Sequence, residues 1–355
     1  MGKIAMLSFR LGGSDGVSVV ARLWSRILLE HGWNVVTVAG EGPVDRIVSG
    51  LEIGAVEPPM YGEVEAAIED ADVVIVENLL TIPMNLPAST IVAEVLRGRP
   101  ALLHHHDPPW QRSRFRLVTD LPVDDPAWRH VTINRLTQRQ YDQRGISAQT
   151  IYNPFDTAEP AGRRDRERAR ILEAAGREDP DTVLISHPVR AIARKNVPAA
   201  LSICSRVAID TGRPVLYWLP GPAEEGYAKT LETLMSRAPV PVVRAGASSM
   251  PDLYAASDLV VFPSEWEGFG NVPVEASIHR RPVVVGDYPV AAELIELGFS
   301  WFAPDDRHAI ASAVSHPSAY AEQAAHNRGV AEKFLSVKVV GDQMKSLFEQ
   351  SGWSP

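Results

Sequence analysis

Short apolar runs alternate with amphipathic stretches along nearly the whole chain, and this constrains the fold more tightly than any other feature. Lys3–Phe9, Asn34–Ala39, Asp72–Val76, Ala101–Asp107, His130–Asn134 and Gln149–Tyr152 read as strands, the fourth running into a loop at Pro108-Pro109. Helices fall between them, at about Gly16–His31, Ala88–Leu96 and Arg135–Arg144. Runs that are apolar throughout belong to strands buried on both faces, and strands alternating with helices pair in parallel. The order strand, glycine loop, helix, strand at the start of the chain therefore opens a doubly wound α/β domain.

The pattern breaks at Asn153-Pro154-Phe155-Asp156 and then starts again. Val183–His187, Val215–Leu219, Val240–Val243, Leu259–Pro263, Pro282–Gly286 and Trp301–Ala303 form a second strand series. One hydrophobic core rarely grows past roughly 250–300 residues, so 355 residues imply two domains. The expected division is 1–155, 156–330 and a C-terminal segment, 331–355. In that segment Phe334–Gln350 is a helix with Val340, Met344, Leu347 and Phe348 on one side. Arg163–Ala175 carries both signs of charge interspersed, the pattern of a solvated helix and not of a nucleic-acid patch.

Composition excludes several classes of function. The net charge of −9 argues against nucleic acid and against electrostatic docking on anionic lipid. A local basic face remains at Arg112, Arg114 and Arg116, within a Trp110–Arg116 segment that reads as a solvated loop or an acceptor-binding flap. No window approaches eighteen apolar residues, and the N-terminus reads as a first core strand instead of a signal-peptide h-region. The lone Cys204 allows no internal disulfide and fits a reducing cytoplasm; it reads as a buried helix residue, since no helper group lies near it in sequence.

The chemistry concentrates in Ser264–Glu275. The apolar run Leu259–Pro263 leads into it, and a helix follows from about Asn271 to His279. Pro273 fits only in the first helical turn, where a missing N–H is harmless. Gly268 and Gly270 let the backbone approach a ligand, and a helix N-terminus is a ready anion site. Glu267 and Glu275 stand eight positions apart. Upstream, Arg190, Arg194 and Lys195 follow the strand Val183–His187 and precede a helix running to about Thr211, as an anion pocket or as surface cations beside a turn. The loop Leu11–Val17, with Gly13 and Gly16, lacks the G-x-G-x-x-G spacing of a dinucleotide site and reads as a tight turn or a phosphate or sugar contact. His104, His105 and His106 lie at a strand end. Neighbours on a strand point to opposite faces, so at most two share one ion; with no second cluster of ligand spacing, no metal is expected.

Glu267-Gly268-Phe269-Gly270, the E-x7-E pair Glu267 and Glu275, and a basic segment about seventy residues upstream resemble the retaining glycosyltransferases of sequence family four. The resemblance covers nearly the whole chain. It implies an α/β fold of the GT-B type: two Rossmann-like domains facing across a deep cleft, with a C-terminal helix crossing back to the first. It further implies that the first domain binds the acceptor and the second the donor, a nucleotide sugar linked to UDP or GDP. Arg190 and Lys195 match the cations that hold the donor diphosphate, with Arg194 as an extra candidate. Backbone N–H groups around Gly268, Phe269, Gly270, Asn271 and Val272 would serve the same charge. Glu275 would accept ribose hydroxyls, Glu267 would meet hydroxyls of the transferred sugar, and one strand-end histidine, best His106, would face that sugar. The glycine loop with Gly13 and Gly16 looks like the family's first loop, and Asn153-Pro154 like its hinge.

The resemblance implies transfer to an acceptor hydroxyl with retention of configuration. No metal or other cofactor is expected, because cations and helix N–H groups take the developing charge. The acceptor would be a small molecule, a glycan or a lipid-linked sugar; peripheral membrane contact stays open, and a nucleic-acid partner is not expected. Competing readings are a nucleotide-sugar epimerase or phosphorylase of the same fold, a non-catalytic nucleotide-sugar-binding protein, and a NAD-dependent dehydrogenase, which the absent glycine fingerprint disfavours.

Overall fold

The computed structural model describes residues 2–13 and 15–355. The chain divides into two compact units, one of residues up to Phe155 with Leu335–Pro355, the other Asp156–Phe334.

In the first unit the elements run β1 (Lys3–Arg10), α1 (Gly16–Glu30), β2 (Asn34–Glu41), β3 (Arg46–Ile47), α2 (Tyr61–Ile68), β4 (Val73–Glu77), α3 (Leu86–Leu96), β5 (Ala101–His105), β6 (Trp128–Thr132), α4 (Arg135–Asp142) and β7 (Ala148–Thr150). The strands form one parallel sheet in the order β3-β2-β1-β4-β5-β6-β7. Side chains alternate between its faces. Ala5, Leu7, Val74, Val76 and Leu103 join one core layer, while Ile4, Met6, Val73, Ile75 and Leu102 join the other.

The second unit contains α5 (Arg164–Ala174), β8 (Val183–Ser186), α6 (Val197–Thr211), β9 (Val215–Trp218), α7 (Ala228–Ser236), β10 (Val242–Val243), α8 (Met250–Ala256), β11 (Leu259–Phe262), α9 (Asn271–Ile278), β12 (Val283–Val285), α10 (Pro289–Glu296), α11 (Arg307–Ser315) and α12 (Ala321–Leu335), whose last residue already counts with the first unit. Its parallel sheet has the order β10-β9-β8-β11-β12. Both sheets reverse their winding once, beside β1 and β4 in one unit and beside β8 and β11 in the other. Ligands of such sheets sit at the carboxyl ends of the strands at that reversal.

Two expectations are corrected. Trp301–Ala303 is not a strand: only Phe302 pairs, with Val284, because Pro304 ends the run and has no N–H to give. Phe334–Gln350 is not one helix. Ser336 is extended (φ −64°, ψ 149°), closes α12 and caps α13 (Val337–Gln350) by accepting the Val339 N–H. Phe155 and Val337 bridge this break: Phe155 N–H donates to Leu335 O at 2.8 Å, and Val337 N–H to Phe155 O at 3.0 Å. Beyond it, Val340, Met344, Leu347 and Phe348 pack in the α1 layer with Trp24, Ile27 and Trp33. Cys204 is fully buried in α6, and burial pushes its thiol well above the ordinary range.

Candidate functional site

In the second unit the chemistry gathers where β8 and β11 end. After β8 the chain turns through Arg190, Ala191 and Ile192 into a 3-10 turn, Ala193–Lys195, and Asn196 in a left-handed conformation caps α6. This turn is tied to the loop after β11, because Glu265 N–H donates to Arg194 O at 3.0 Å. Glu267 is gripped from both sides. Arg194 donates to Glu267 Oε2 at 2.6 Å and Lys195 to Oε1 at 2.6 Å. Arg194 also donates to Trp266 O at 3.0 Å, and the Lys195 ammonium stands 4.8 Å from the centre of the Phe262 ring. A buried charge is tolerated only when paired in this way.

The electrostatics follow. Burial works against the Glu267 charge, but Lys195 and Arg194 outweigh it and hold the carboxyl below its ordinary value. Burial brings the Lys195 ammonium down to about 8 despite Glu267, which still leaves it mostly charged at neutral pH. Neighbouring His187 is pushed down to about 3 by burial and by Lys195; it is a neutral ring bonded through Nδ1 to the Tyr217 hydroxyl at 2.8 Å.

Gly270 begins α9 at φ +97°, a left-handed conformation that favours glycine. A Cβ there would also lie 2.2 Å from the Tyr288 hydroxyl oxygen. Asn271, Val272 and Pro273 form the first turn, so the proline sits where its missing N–H is tolerated. Glu275 lies one turn further. Tyr254 donates its hydroxyl to Glu275 Oε2 at 2.6 Å, and burial raises the Glu275 carboxyl above its ordinary value.

Arg190 takes another direction. It is partly exposed and pairs with Glu224 at 2.6 Å, although it stands close enough to lower Lys195 further. The structure therefore brings Arg194, Lys195, Glu267, the Gly268–Val272 segment and Glu275 to one strand-end region, and gives Arg194, the extra candidate, the closest partnership with Lys195.

In the first unit the glycine loop joins β1 to α1. Asp15 caps α1, accepting from Ser18 N at 3.2 Å and Ser18 Oγ at 2.8 Å. The left-handed turn is at Gly12, φ +80°, while a Cβ on Gly16 would meet nothing and one on Gly13 would lie 3.1 Å from Asp15. Strand alternation also settles the histidines. His104 and His106 turn to the α1 side and His105 to the other. His104 stacks on Trp24 at 4.1 Å, and both His104 Nδ1 and His106 Nε2 bond Glu77 Oε2, at 2.9 and 2.8 Å. His105 bonds Thr81 through Nδ1 at 2.6 Å and His130 through Nε2 at 2.9 Å. Glu77 ends β4 and is missing from the sequence reading. Its parity with Ile75, on the layer that His104 and His106 share, is the signal that could have found it. Among the described residues, Glu77, His104 and His106 place one potential ligand atom each within 4.8 Å of one another, a set able to hold a metal ion.

The basic Trp110–Arg116 segment folds as two 3-10 turns against α4. Trp110 donates to Gln140 at 2.6 Å and lies 3.7 Å beneath the Arg144 guanidinium, while Arg112 pairs with Asp107.

The family described as Glycosyl transferases group 1 matches residues 187–318, from the end of β8 through the whole strand-end region. Over nearly its full length the chain is similar to mannosylglucosylglycerate synthase of Thermotoga maritima, with 24% identity across 96% of this chain and 98% of the relative. The chain is a glycosyltransferase with the GT-B fold. Local similarity is higher to the O-antigen chain mannosyltransferase RfbU of Salmonella typhimurium, 39% over 64 residues and 18% of each chain. The glycosyltransferase shares its fold with Anabaena HepE, solved in complex with UDP and glucose, at a TM-score of 0.75 and 19% identity over 99% of this chain and 100% of that one. No helix among its described residues is long and apolar enough to cross a membrane.

Proposed function

We propose that the glycosyltransferase moves a hexosyl group, in the first instance mannosyl, from a nucleotide-sugar donor to an acceptor hydroxyl, with retention of configuration and without a metal. The observation that carries this reading is the grip of Arg194 and Lys195 on Glu267 beside the N-terminus of α9. An arginine has five N–H donors and a lysine three, so both cations keep donors for a phosphate while holding the carboxylate. As the glycosidic bond stretches, the departing diphosphate gains negative charge. Lys195, Arg194, Arg190 and the positive end of α9 stabilise that charge in the transition state. This supplies the electrostatic work that a divalent cation does elsewhere. Glu275 binds the ribose and Glu267 the sugar; neither acts as the acid or base of a hydrolase pair. The acceptor hydroxyl attacks the sugar cation from the face the diphosphate leaves and passes its proton to a departing phosphate oxygen, which retains the anomeric configuration. Mannose is chosen because the curated relatives above carry mannosyl in their names.

Nucleoside diphosphate release is measured with GDP-mannose and with UDP-glucose, with and without acceptor alcohols, and the product anomer is read by NMR. Acceptor-dependent release with retained configuration is expected, unchanged by a chelator and lost in Lys195→Ala. Inversion refutes the mechanism, full turnover in Lys195→Ala refutes the site, and loss of activity on chelation refutes metal independence.

A further inference from the structure

We propose that Tyr254 is the positioning residue for Glu275 and sets the enzyme's preference for ribonucleotides: its hydroxyl engages one carboxylate oxygen and leaves the other, Oε1, aimed at a ribose hydroxyl of the donor nucleotide. The proposal rests on the reading of Glu275 as the ribose acceptor and adds the group that aims it, all within the second unit. Tyr254 belongs to α8, a helix pinned at its start. Ser249 caps it by accepting the Asp252 N–H at 3.1 Å, and Arg163 pairs with the Asp252 carboxylate at 2.9 Å. The Tyr254 ring is fully buried, and its hydroxyl donates to Glu275 Oε2 at 2.6 Å. His279, the residue that closes α9, stacks on that ring with centroids 5.1 Å and planes 12° apart. It is four residues beyond Glu275 and bonds its backbone, N–H to Glu275 O at 3.0 Å. A tyrosine side chain has two rotatable bonds, so a ring held on one face by a stack and in a closed core gives its hydroxyl one place.

What marks Glu275 as aimed and not merely packed is the company it lacks. Asp252, Asp258, Glu167 and Glu267, in the same unit, are each paired with an arginine or a lysine. Glu275 has no cation among the described residues, although it lies deep enough for burial to push its carboxyl up, against the Tyr254 hydrogen bond. A carboxylate desolvated without a counter-charge is a standing cost, which hydrogen-bond donors offset. Tyr254 supplies one donor: burial and the Glu275 charge keep its hydroxyl protonated. His279 supplies a flat neutral ring and no charge, since burial, Arg281 and Arg328 push it down to about 4. No donor reaches Oε1 among the described residues, and Glu275 is only partly buried, so a ligand can complete the set. The ribose diol supplies such a donor; ionised phosphates only accept.

Calorimetric titration of the full chain tests this. The probe is whichever of UDP and GDP binds the wild type more tightly, with its 2′-deoxy and 3′-deoxy forms beside it. The wild type should prefer the ribonucleotide to at least one deoxy form by roughly ten- to a hundredfold, the worth of one hydrogen bond to a charged group. Tyr254→Phe should bind the ribonucleotide less tightly and that deoxy form as the wild type does, so that the preference shrinks to a few-fold at most. A preference kept in full, with or without a lower melting temperature, makes Tyr254 a support of the core alone and overturns the proposal. In a Glu275→Ala background the preference should already be gone and Tyr254→Phe should change nothing, because Tyr254 acts through the carboxylate. That double variant leaves neither an uncovered charge nor an unmatched hydroxyl, so it serves where Tyr254→Phe alone does not fold; a further loss of ribonucleotide binding in it, relative to Glu275→Ala, overturns the proposal as well. A wild type that binds the nucleotide without any preference refutes the ribose reading of Glu275 and the proposal with it, whereas loss of the proposal alone leaves the wild-type preference in place.

Discussion

Glu267 and Glu275 are two carboxylates of one loop-and-helix segment, and their surroundings push them in opposite directions. Glu267 lies below its ordinary value because two cations clasp it, so its contribution to stability is present above the ordinary 4.5 and lost as pH falls through the folded value. Glu275 lies above its ordinary value because burial outweighs the Tyr254 hydrogen bond. Its contribution is complete below 4.5 and is lost as pH rises through the folded value. Neutralising each should therefore separate stability from activity. Glu267→Gln leaves Arg194 and Lys195 facing each other in a buried place and should destabilise by roughly 3–5 kcal/mol. Glu275→Gln keeps an acceptor for Tyr254, so it should melt no lower than wild type at pH 7 while losing at least roughly tenfold in turnover. Thermal melts and rates on the two variants decide it, and equal loss of stability in both would refute this assignment of environments. Gly270→Ala should likewise abolish transfer: it needs a left-handed alanine and displacement of the Tyr288 ring, and normal activity would show that α9 does not require that turn.

At the scale of elements, the alternation of strands and helices is visible because parallel strands buried on both faces leave unmistakable apolar runs. What the sequence hides has equally physical causes. β3 is two residues long, too short to show a period, and α2 lies beyond a stretch of glycines and prolines that reads as loop. The break at Ser336 is hidden because apolar residues continue across it, from Leu335 to Val337 and Val340, and only the capping hydrogen bond marks the stop. Lys195, Glu267 and Glu275 stand out in the sequence by their spacing. The partners of those residues do not: Tyr254 under Glu275, Glu224 on Arg190 and Glu77 under His106 come from 21, 34 and 29 positions away and meet only through the sheets. α13 belongs to the α1 layer, so truncating its aromatic anchor should be felt there. Phe348, 4% exposed between Trp33 and Trp353, should cost roughly 3–5 kcal/mol as Phe348→Ala. Denaturant unfolding followed by tryptophan fluorescence checks this, and a loss under about 1 kcal/mol would mean that α13 packs loosely.

For the whole molecule, two units with separate cores predict separate calorimetric transitions. A nucleoside diphosphate held by the second unit should raise one of them alone. At a hundred times Kd the stabilisation is roughly 2.7 kcal/mol, a rise of roughly 5–10 °C for a domain of this size. Phe348→Ala should lower the other transition. If nucleotide and substitution move the same one, the nucleotide is not held by the second unit as proposed.

The bridge among Phe155, Leu335 and Val337 makes the second unit an insertion: the chain leaves the first unit at Phe155 and re-enters beside the same residue. Synthesis runs from the N-terminus, so the first unit emerges from the ribosome long before its last helix exists. Until residues 337–350 arrive, the layer around Trp24, Ile27 and Trp33 has no cover. The 179 residues of the second unit must be made first, which at roughly 5–20 residues per second is a wait on the order of ten to forty seconds with that surface bare. The nascent first unit is thus the form of this enzyme most in need of a chaperone.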